Sequence, residues 1–146
     1  MTPNEMARIY ALAFAHDRPW HPAEFSDLLA NPYAMAHEVP HGFAITRTVA
    51  RESELITIAV DPAHHGSGLG RKLMIQWLEH AEKHADFAFL EVAADNSTAT
   101  KLYTTSGFEI TGTRRAYYTR QDGPAVDALL LTRAFTHGQA PDNPPS

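Results

Sequence analysis

A strand–loop–helix unit in the middle of the chain constrains the fold most. An apolar, β-branched run from Glu54 to Val60 ends at an Asp61-Pro62 turn. A loop with glycines at positions 66, 68 and 70 follows, and RKLMIQWLEH then opens an amphipathic helix. A strand that feeds a helix through a short glycine turn points to a layered α/β fold. Peptide N–H groups at such a helix start converge and carry the positive end of the helix dipole, so they suit a phosphate or pyrophosphate. The glycines leave no Cβ between that backbone and a ligand. A Walker loop is excluded, because Gly70 is followed by Arg71-Lys72 rather than by Lys-Ser/Thr. A dinucleotide fingerprint is excluded too, because the spacing is G-x-G-x-G.

The flanking sequence supplies the other layers. Apolar spacing predicts helices over Met6–Phe14 and Pro22–Leu29. Tyr33–Val39 and Phe43–Val49 read as strands around a Pro40-His41-Gly42 turn, with Glu54–Val60 as a third. The helix after the glycine loop offers Leu69, Leu73, Met74, Trp77, Leu78 and Ala81 as one apolar stripe. Phe87–Val92 is the next strand, Asn96–Ser106 a helix stopped by Gly107, Phe108 starts a strand, and Ala125–Phe135 is the last. The order ααβββαβαββ predicts an α/β fold, a mixed sheet of about six strands flanked by about four helices. Residues 1–135 form one domain in this reading, and the proline-rich, polar tail over 136–146 is expected to be disordered.

The bulk numbers exclude several classes. With 146 residues and no cysteine, the chain has no disulfide, thiolate metal site or cysteine nucleophile. Its formal charge of −5 argues against a nucleic-acid partner. No apolar run approaches the roughly 20 residues that span a bilayer, and MTPNEMARIY is not a signal peptide. A cytoplasmic protein is expected. His80 and His84 lie four apart, but HAEKH is not HExxH and offers no third ligand, so no metal is expected.

A second segment, LEVAADNSTATKLYTTSGF from Leu90 to Phe108, carries the chemistry. Strand alternation puts Glu91 on the face of Phe87 and Phe89, opposite Ala88, Leu90 and Val92. A carboxylate in aromatic company loses hydration, which favours a base that works near neutral pH. Asn96 and Tyr103 are two helical turns apart, on one side of the next helix. The tyrosine hydroxyl suits proton donation and the amide suits a cofactor carbonyl. Tyr103 with Ala99 and Leu102 equally fits a core stripe, and Glu91 a solvated strand end.

Together the two segments resemble the GCN5-related N-acetyltransferase family. The loop His65-Gly66-Ser67-Gly68-Leu69-Gly70 is similar to that family's Arg/Gln-x-x-Gly-x-Gly/Ala, with histidine at the first position, and Asn96, Leu102-Tyr103 and Gly107-Phe108 match its downstream pattern. The strings LEV at 90–92, GFEITGTRRAYY at 107–118, GFAITR at 42–47 and TIAVDP at 57–62 resemble its ribosomal-protein-alanine N-acetyltransferase (RimI-type) subfamily. The resemblance implies acetyl-CoA as co-substrate and a protein N-terminus, of an alanine-first ribosomal protein, as partner. It implies Glu91 as general base, Tyr103 as general acid and direct attack without a covalent enzyme intermediate. Glu54 is the rival base, because simple alternation puts it on the face of Ile56, Ile58 and Val60. The cofactor is expected in a splay between the Glu54–Val60 and Phe87–Val92 strands. Ile58, Ala59 and Val60 would hold its pantetheine, and His65, Gly66, Ser67, Gly68, Leu69, Gly70 and Arg71 its pyrophosphate, with Asn96 and Tyr103 beside the thioester. Trp20, Arg115 and Tyr117 are candidates for gripping the peptide. Acetylation of a small amine or a lysine side chain, and cofactor binding without turnover, are the alternatives. Such proteins usually open with a strand before the first helix, and here that strand is missing or the true start lies upstream.

Overall fold

The computed structural model describes residues 1–15, 17–120 and 122–136. The chain runs α1 (Pro3–Ala13), α2 (Pro22–Leu29), β1 (Ala34–Val39), β2 (Gly42–Val49), β3 (Glu52–Val60), a 3₁₀ turn (Pro62–His64), α3 (Leu69–His84), β4 (Phe87–Ala93), α4 (Ser97–Thr105), β5 (Glu109–Tyr118) and β6 (Val126–Ala134). The strands form one mixed sheet in the order β1-β2-β3-β4-β6-β5, in which β3 and β4 are the parallel neighbours. This is the α/β architecture expected from the element order. Among the described residues no strand precedes α1, and β1 forms one edge of the sheet. No described helix is long and apolar enough to cross a membrane. The tail expected to be disordered lies, from residue 137 on, outside the described residues.

Local chemistry explains where the boundaries differ from the sequence reading. Helix α1 starts at Pro3, three residues earlier than its apolar pattern, because Thr2 and Glu5 form a capping box with Pro3 at the first helical position. Strand β3 starts at Glu52, two residues early. A two-residue hairpin joins it to β2 through Ala50 (φ 52°) and Arg51 (φ 65°). Such turns favour Asn-Gly, so Ala-Arg hid this one. It is held from outside: Arg51 Nε reaches Asp86 Oδ1 at 2.9 Å, and Asp86 N–H donates to Arg51 O at 2.7 Å.

Two apolar layers sandwich the sheet. On one face α3 buries Leu73, Met74, Trp77, Leu78 and Ala81 against Leu55, Ala88, Leu90, Val92 and Leu131. Burying each large side chain contributes about 1.5–3 kcal/mol. On the other face α1 and α2 put Met6, Ile9 and Phe25 on Phe43, Ile45 and Ala59. Between the layers Trp77 Nε1 donates to Ser53 Oγ at 2.8 Å, and that hydroxyl also pairs with Thr48 Oγ1 at 2.9 Å.

Two stability predictions follow from these contacts. Ser53→Ala removes the acceptor from a buried indole N–H and costs about 1–3 kcal/mol, read from urea unfolding. His37 is 6% exposed, with Nε2 3.1 Å from Thr46 Oγ1. Burial, and then the charge of His80, push its pKa from 6.5 down to about 4. The unfolded chain therefore takes up this proton below about pH 6.5 and the native state does not until about pH 4. Stability is full above the first value and falls by up to ~2–3 kcal/mol as pH drops toward the second. His37→Asn flattens that part of the stability–pH curve.

Candidate active site

The sheet opens where the chemistry-bearing residues collect. Strands β3 and β4 pair only at Glu52–Phe87, Ser53–Ala88 and Glu54–Phe89, and beyond Glu54 and Phe89 they diverge. Two clefts meet at this splay. The first, about 510 Å³, runs over Ile58–Val60, the glycine loop and α4. The second, about 480 Å³, lies toward Glu91, Asp95, Tyr118 and Arg120. Phe14, Ile58, Asn96, Ala99 and Tyr103 line both.

A β-bulge sets which β3 side chains face which layer. Ile45 pairs with Thr57 but Thr46 pairs with Leu55, so Ile56 is an extra residue. The bulge shifts the alternation by one. Ile56 packs with Phe43 and Ala59, whereas Ile58 and Val60 pack with Leu55 and the α3 layer. Glu54 therefore does not share a face with Ile58 and Val60 as simple alternation suggests. It pairs instead with Arg47 Nη2 at 2.8 Å and lines neither cleft.

The glycine loop is shaped for an anion. Gly66 and Gly68 have φ of 85° and 80°, and a Cβ on either would meet nothing within 4 Å. The backbone there borders open space in a conformation that glycine adopts without strain. Gly68 is the N-cap of α3 and has no side chain to offer, and no acidic residue follows in the first turn. The other helix starts are served: Thr2 caps α1, Glu24 Oε1 accepts the His21 N–H before α2, and Asn96 Oδ1 accepts the Ala99 N–H of α4 at 3.1 Å. The first-turn donors of α3 are thus left for a ligand. His65 Nε2 donates to Val60 O at 3.1 Å, so the histidine ties the loop to the strand end. Ser67 Oγ donates to His64 O at 2.6 Å and does not line the cleft, unlike His65, Gly66, Gly68, Leu69, Gly70 and Arg71. These residues fit a pyrophosphate.

Glu91 is half-buried on the second cleft, its side chain 27% exposed. Arg114 Nε approaches Glu91 Oε2 to 2.7 Å, yet this buried oxygen accepts no hydrogen bond, so the N–H is not aimed at it. Tyr103 is 5% exposed at the junction of the clefts. Burial, and then the charge of Tyr118, push its phenol well above the usual range, so it keeps its proton. Asn96 is the cap of α4 rather than a residue of its face.

The expected peptide-gripping residues sit elsewhere. Trp20 stacks on Tyr10 at 5.2 Å, packs on Phe25 at 5.2 Å and lines neither cleft. Arg115 and Tyr117 also lie outside both, and Tyr118 faces the second cleft in their place. The reason is a register shift between Arg114 and Tyr118, with Ala116 at φ 51°, which breaks the alternation. Phe14 stood only as a helix residue and Tyr118 as the alternate to Tyr117 in strand alternation, and Arg120 carried no signal in the sequence reading. Ala99 and Leu102 did, as the stripe beside Tyr103, and that stripe is both core and cleft wall. His41, Asp61 and His64 bring ligand atoms within 4.8 Å of one another. The two imidazoles stack at 3.6 Å and 4°, so their ring planes do not converge on one ion.

Comparison with known proteins agrees with this geometry. Residues 5–108 match the acetyltransferase (GNAT) family. The chain is 39% identical over 136 residues to N-alpha-acetyltransferase RimI of Mycobacterium tuberculosis, covering 87% of this chain and 83% of that one. It is 36% identical over 122 residues to the [ribosomal protein bS18]-alanine N-acetyltransferase of Escherichia coli, covering 80% and 82%. The crystal structure of the ribosomal-protein-S18-alanine N-acetyltransferase from E. coli superposes with a TM-score of 0.82 at 30% identity, covering 99% of this chain and 93% of that one.

Asn96→Ala removes the cap of the helix that carries Tyr103 and lowers stability by about 1 kcal/mol in thermal or urea unfolding. Asn96→Ser keeps a capping oxygen and recovers most of that loss.

Proposed function

Because the chain belongs to the acetyltransferase (GNAT) family and is an N-acetyltransferase, we propose that it transfers the acetyl group of acetyl-CoA to the N-terminal α-amine of a protein in the cytoplasm. A ribosomal protein that begins with alanine is the leading acceptor, a reading supported by the name of the Escherichia coli relative. The observation that carries the proposal is the meeting of two clefts at the β3–β4 splay. One holds the uncapped glycine loop, the other holds Glu91, and Tyr103 stands at the junction.

In this mechanism the pyrophosphate of acetyl-CoA lies on the first-turn amides of α3, and its pantetheine lies along Ile58, Ala59 and Val60, whose β3 edge has no strand partner on the β4 side. The acceptor arrives as an ammonium in the second cleft, where the Glu91 carboxylate attracts it and takes its proton. The free amine attacks the thioester carbonyl carbon, the C–S bond breaks, and Tyr103 gives its proton to the departing sulfur. The acylated nitrogen then sheds its second proton, which returns the phenol to its neutral form, and Glu91 passes the first proton to water. Burial keeps the phenol protonated until negative charge develops on the sulfur. Nothing in the clefts calls for an activated covalent nucleophile.

The second cleft is walled in part by exposed loop residues, Asp17 and Asp95, which suits an acceptor that continues out into solvent. That favours a peptide over a small amine. A thiol-release assay over Ala-, Ser-, Met- and Gly-first peptides, an N-blocked lysine peptide and polyamines tests the reading. Turnover confined to free α-amines is expected, whereas turnover only on lysine or polyamines would overturn it. Glu91→Gln lowers kcat by about 10²–10⁴-fold, the range for losing a general base. Glu54→Gln, which disturbs only the pair with Arg47, leaves kcat within about threefold. The reverse pattern would make Glu54 the base.

A further inference from the structure

The contact that Glu91 makes with Arg114 is unexpected for a base that must receive a cation. Arg114 belongs to β5, and β6 separates β5 from β4. The register aligns Arg114 with Ala128 and Ala128 with Ala93, so the arginine reaches Glu91 by crossing β6 at one of its smallest side chains. Its Nε then stands 2.7 Å from Glu91 Oε2, with the arginine side chain 61% exposed and the glutamate 27%. The buried oxygen accepts no hydrogen bond, so charge rather than a directed bond holds the pair. In the same position the guanidinium lies 5.3 Å from the half-exposed ring of Tyr117. Asp127 Oδ1 holds the bulge between them by accepting the Ala116 N–H at 2.8 Å. The arginine that lines the second cleft, Arg120, is already held by Asp95 at 3.0 Å.

We propose that Arg114, which meets Glu91 Oε2 from outside the second cleft, is a placeholder for the acceptor's ammonium group, neutralising Glu91 until a substrate cation takes over that role. The proposal rests on the reading of Glu91 as the group that receives the acceptor. Two cations cannot share one carboxylate oxygen at contact distance without repelling each other. An incoming ammonium that takes up either carboxylate oxygen therefore weakens the hold on Arg114, which is mostly in solvent already and loses little by leaving. A positively charged acceptor restores the neutralised pair it breaks. A neutral group entering the cleft leaves the half-buried carboxylate without a counter-charge, so Arg114 biases the site toward ammonium acceptors. Once the amide has formed, the product carries no charge at that nitrogen, and Arg114 regains its place. Arg114 is thus a positioning residue on the acceptor side, acting through Glu91.

The test is steady-state kinetics with an alanine-first hexapeptide and acetyl-CoA on the wild type, Arg114→Gln, Arg114→Lys and Glu91→Gln. Removing the competing cation lowers KM for the peptide by about two- to fivefold, the range of a partly exposed ion pair. KM for acetyl-CoA stays where it was, kcat moves less than the peptide KM, and Arg114→Lys returns the peptide KM toward the wild-type value. A peptide KM that rises in Arg114→Gln would instead make Arg114 a direct grip on the peptide, and an unchanged one would make the pair idle. Either result overturns the proposal. If Glu91→Gln keeps near wild-type kcat, the base assignment itself fails and takes the proposal with it. If Glu91→Gln collapses kcat while the peptide KM of Arg114→Gln stays put, only the placeholder fails.

Discussion

The working part of this protein depends on hydrogen bonds that β3 and β4 do not make. A parallel pair normally continues to the ends of its strands, and here it stops at Glu54 and Phe89. The bulge at Ile56 accompanies the break: it adds a residue, increases the local twist and moves Ile58 and Val60 onto the α3 side. The parted strands leave backbone donors and acceptors on the β4 side of β3, at Ile58 above all, because Ala59 pairs toward β2, and such groups must find partners or water. An extended ligand with amide groups can supply those partners. Further along β4, Glu91 is carried to the edge of the same opening. One irregularity thus creates the slot and aims the residues around it.

Most of the architecture was legible because periodicity and punctuation agreed. Helix α3, with its apolar stripe and glycine loop, and α2, bounded by Pro22 and Leu29, stood out clearly. What escaped was whatever broke a period without a glycine or proline to mark it. The Ala50-Arg51 turn and the Ala116 irregularity both hold ordinary residues at positive φ, and the Ile56 bulge leaves no trace in a run of β-branched residues. The Ile56 bulge and the Ala116 irregularity each shifted the face of a side chain near the site. Glu54 was aligned with the wrong neighbours, and Tyr117 was chosen where Tyr118 faces the cleft. Trp20 stood between two roles for another reason. Its large ring suits peptide contact and core packing alike, and only the positions of Tyr10 and Phe25 decide between them.

Charge at the site is arranged by contrast between its two halves. The cleft at the glycine loop presents Arg71 and otherwise backbone dipoles, which stay fixed and need no reorganisation. The second cleft is bordered by two ion pairs, Glu91 with Arg114 and Asp95 with Arg120. Tyr103, neutral and buried, separates the two halves. Rigid dipoles suit a ligand that is the same in every turnover, and movable ion pairs suit an acceptor that must enter and leave as a chain end.

The bare start of α3 has one more consequence. A helix whose first-turn amides lack a cap frays at that end. Gly70 in this first turn also stands against Leu102 of α4. On the proposed reading, an anion bound there would cap these amides and complete the helix start. Binding would then stabilise the folded chain by mass action, so resistance to unfolding would rise with the concentration of the protein's own substrate.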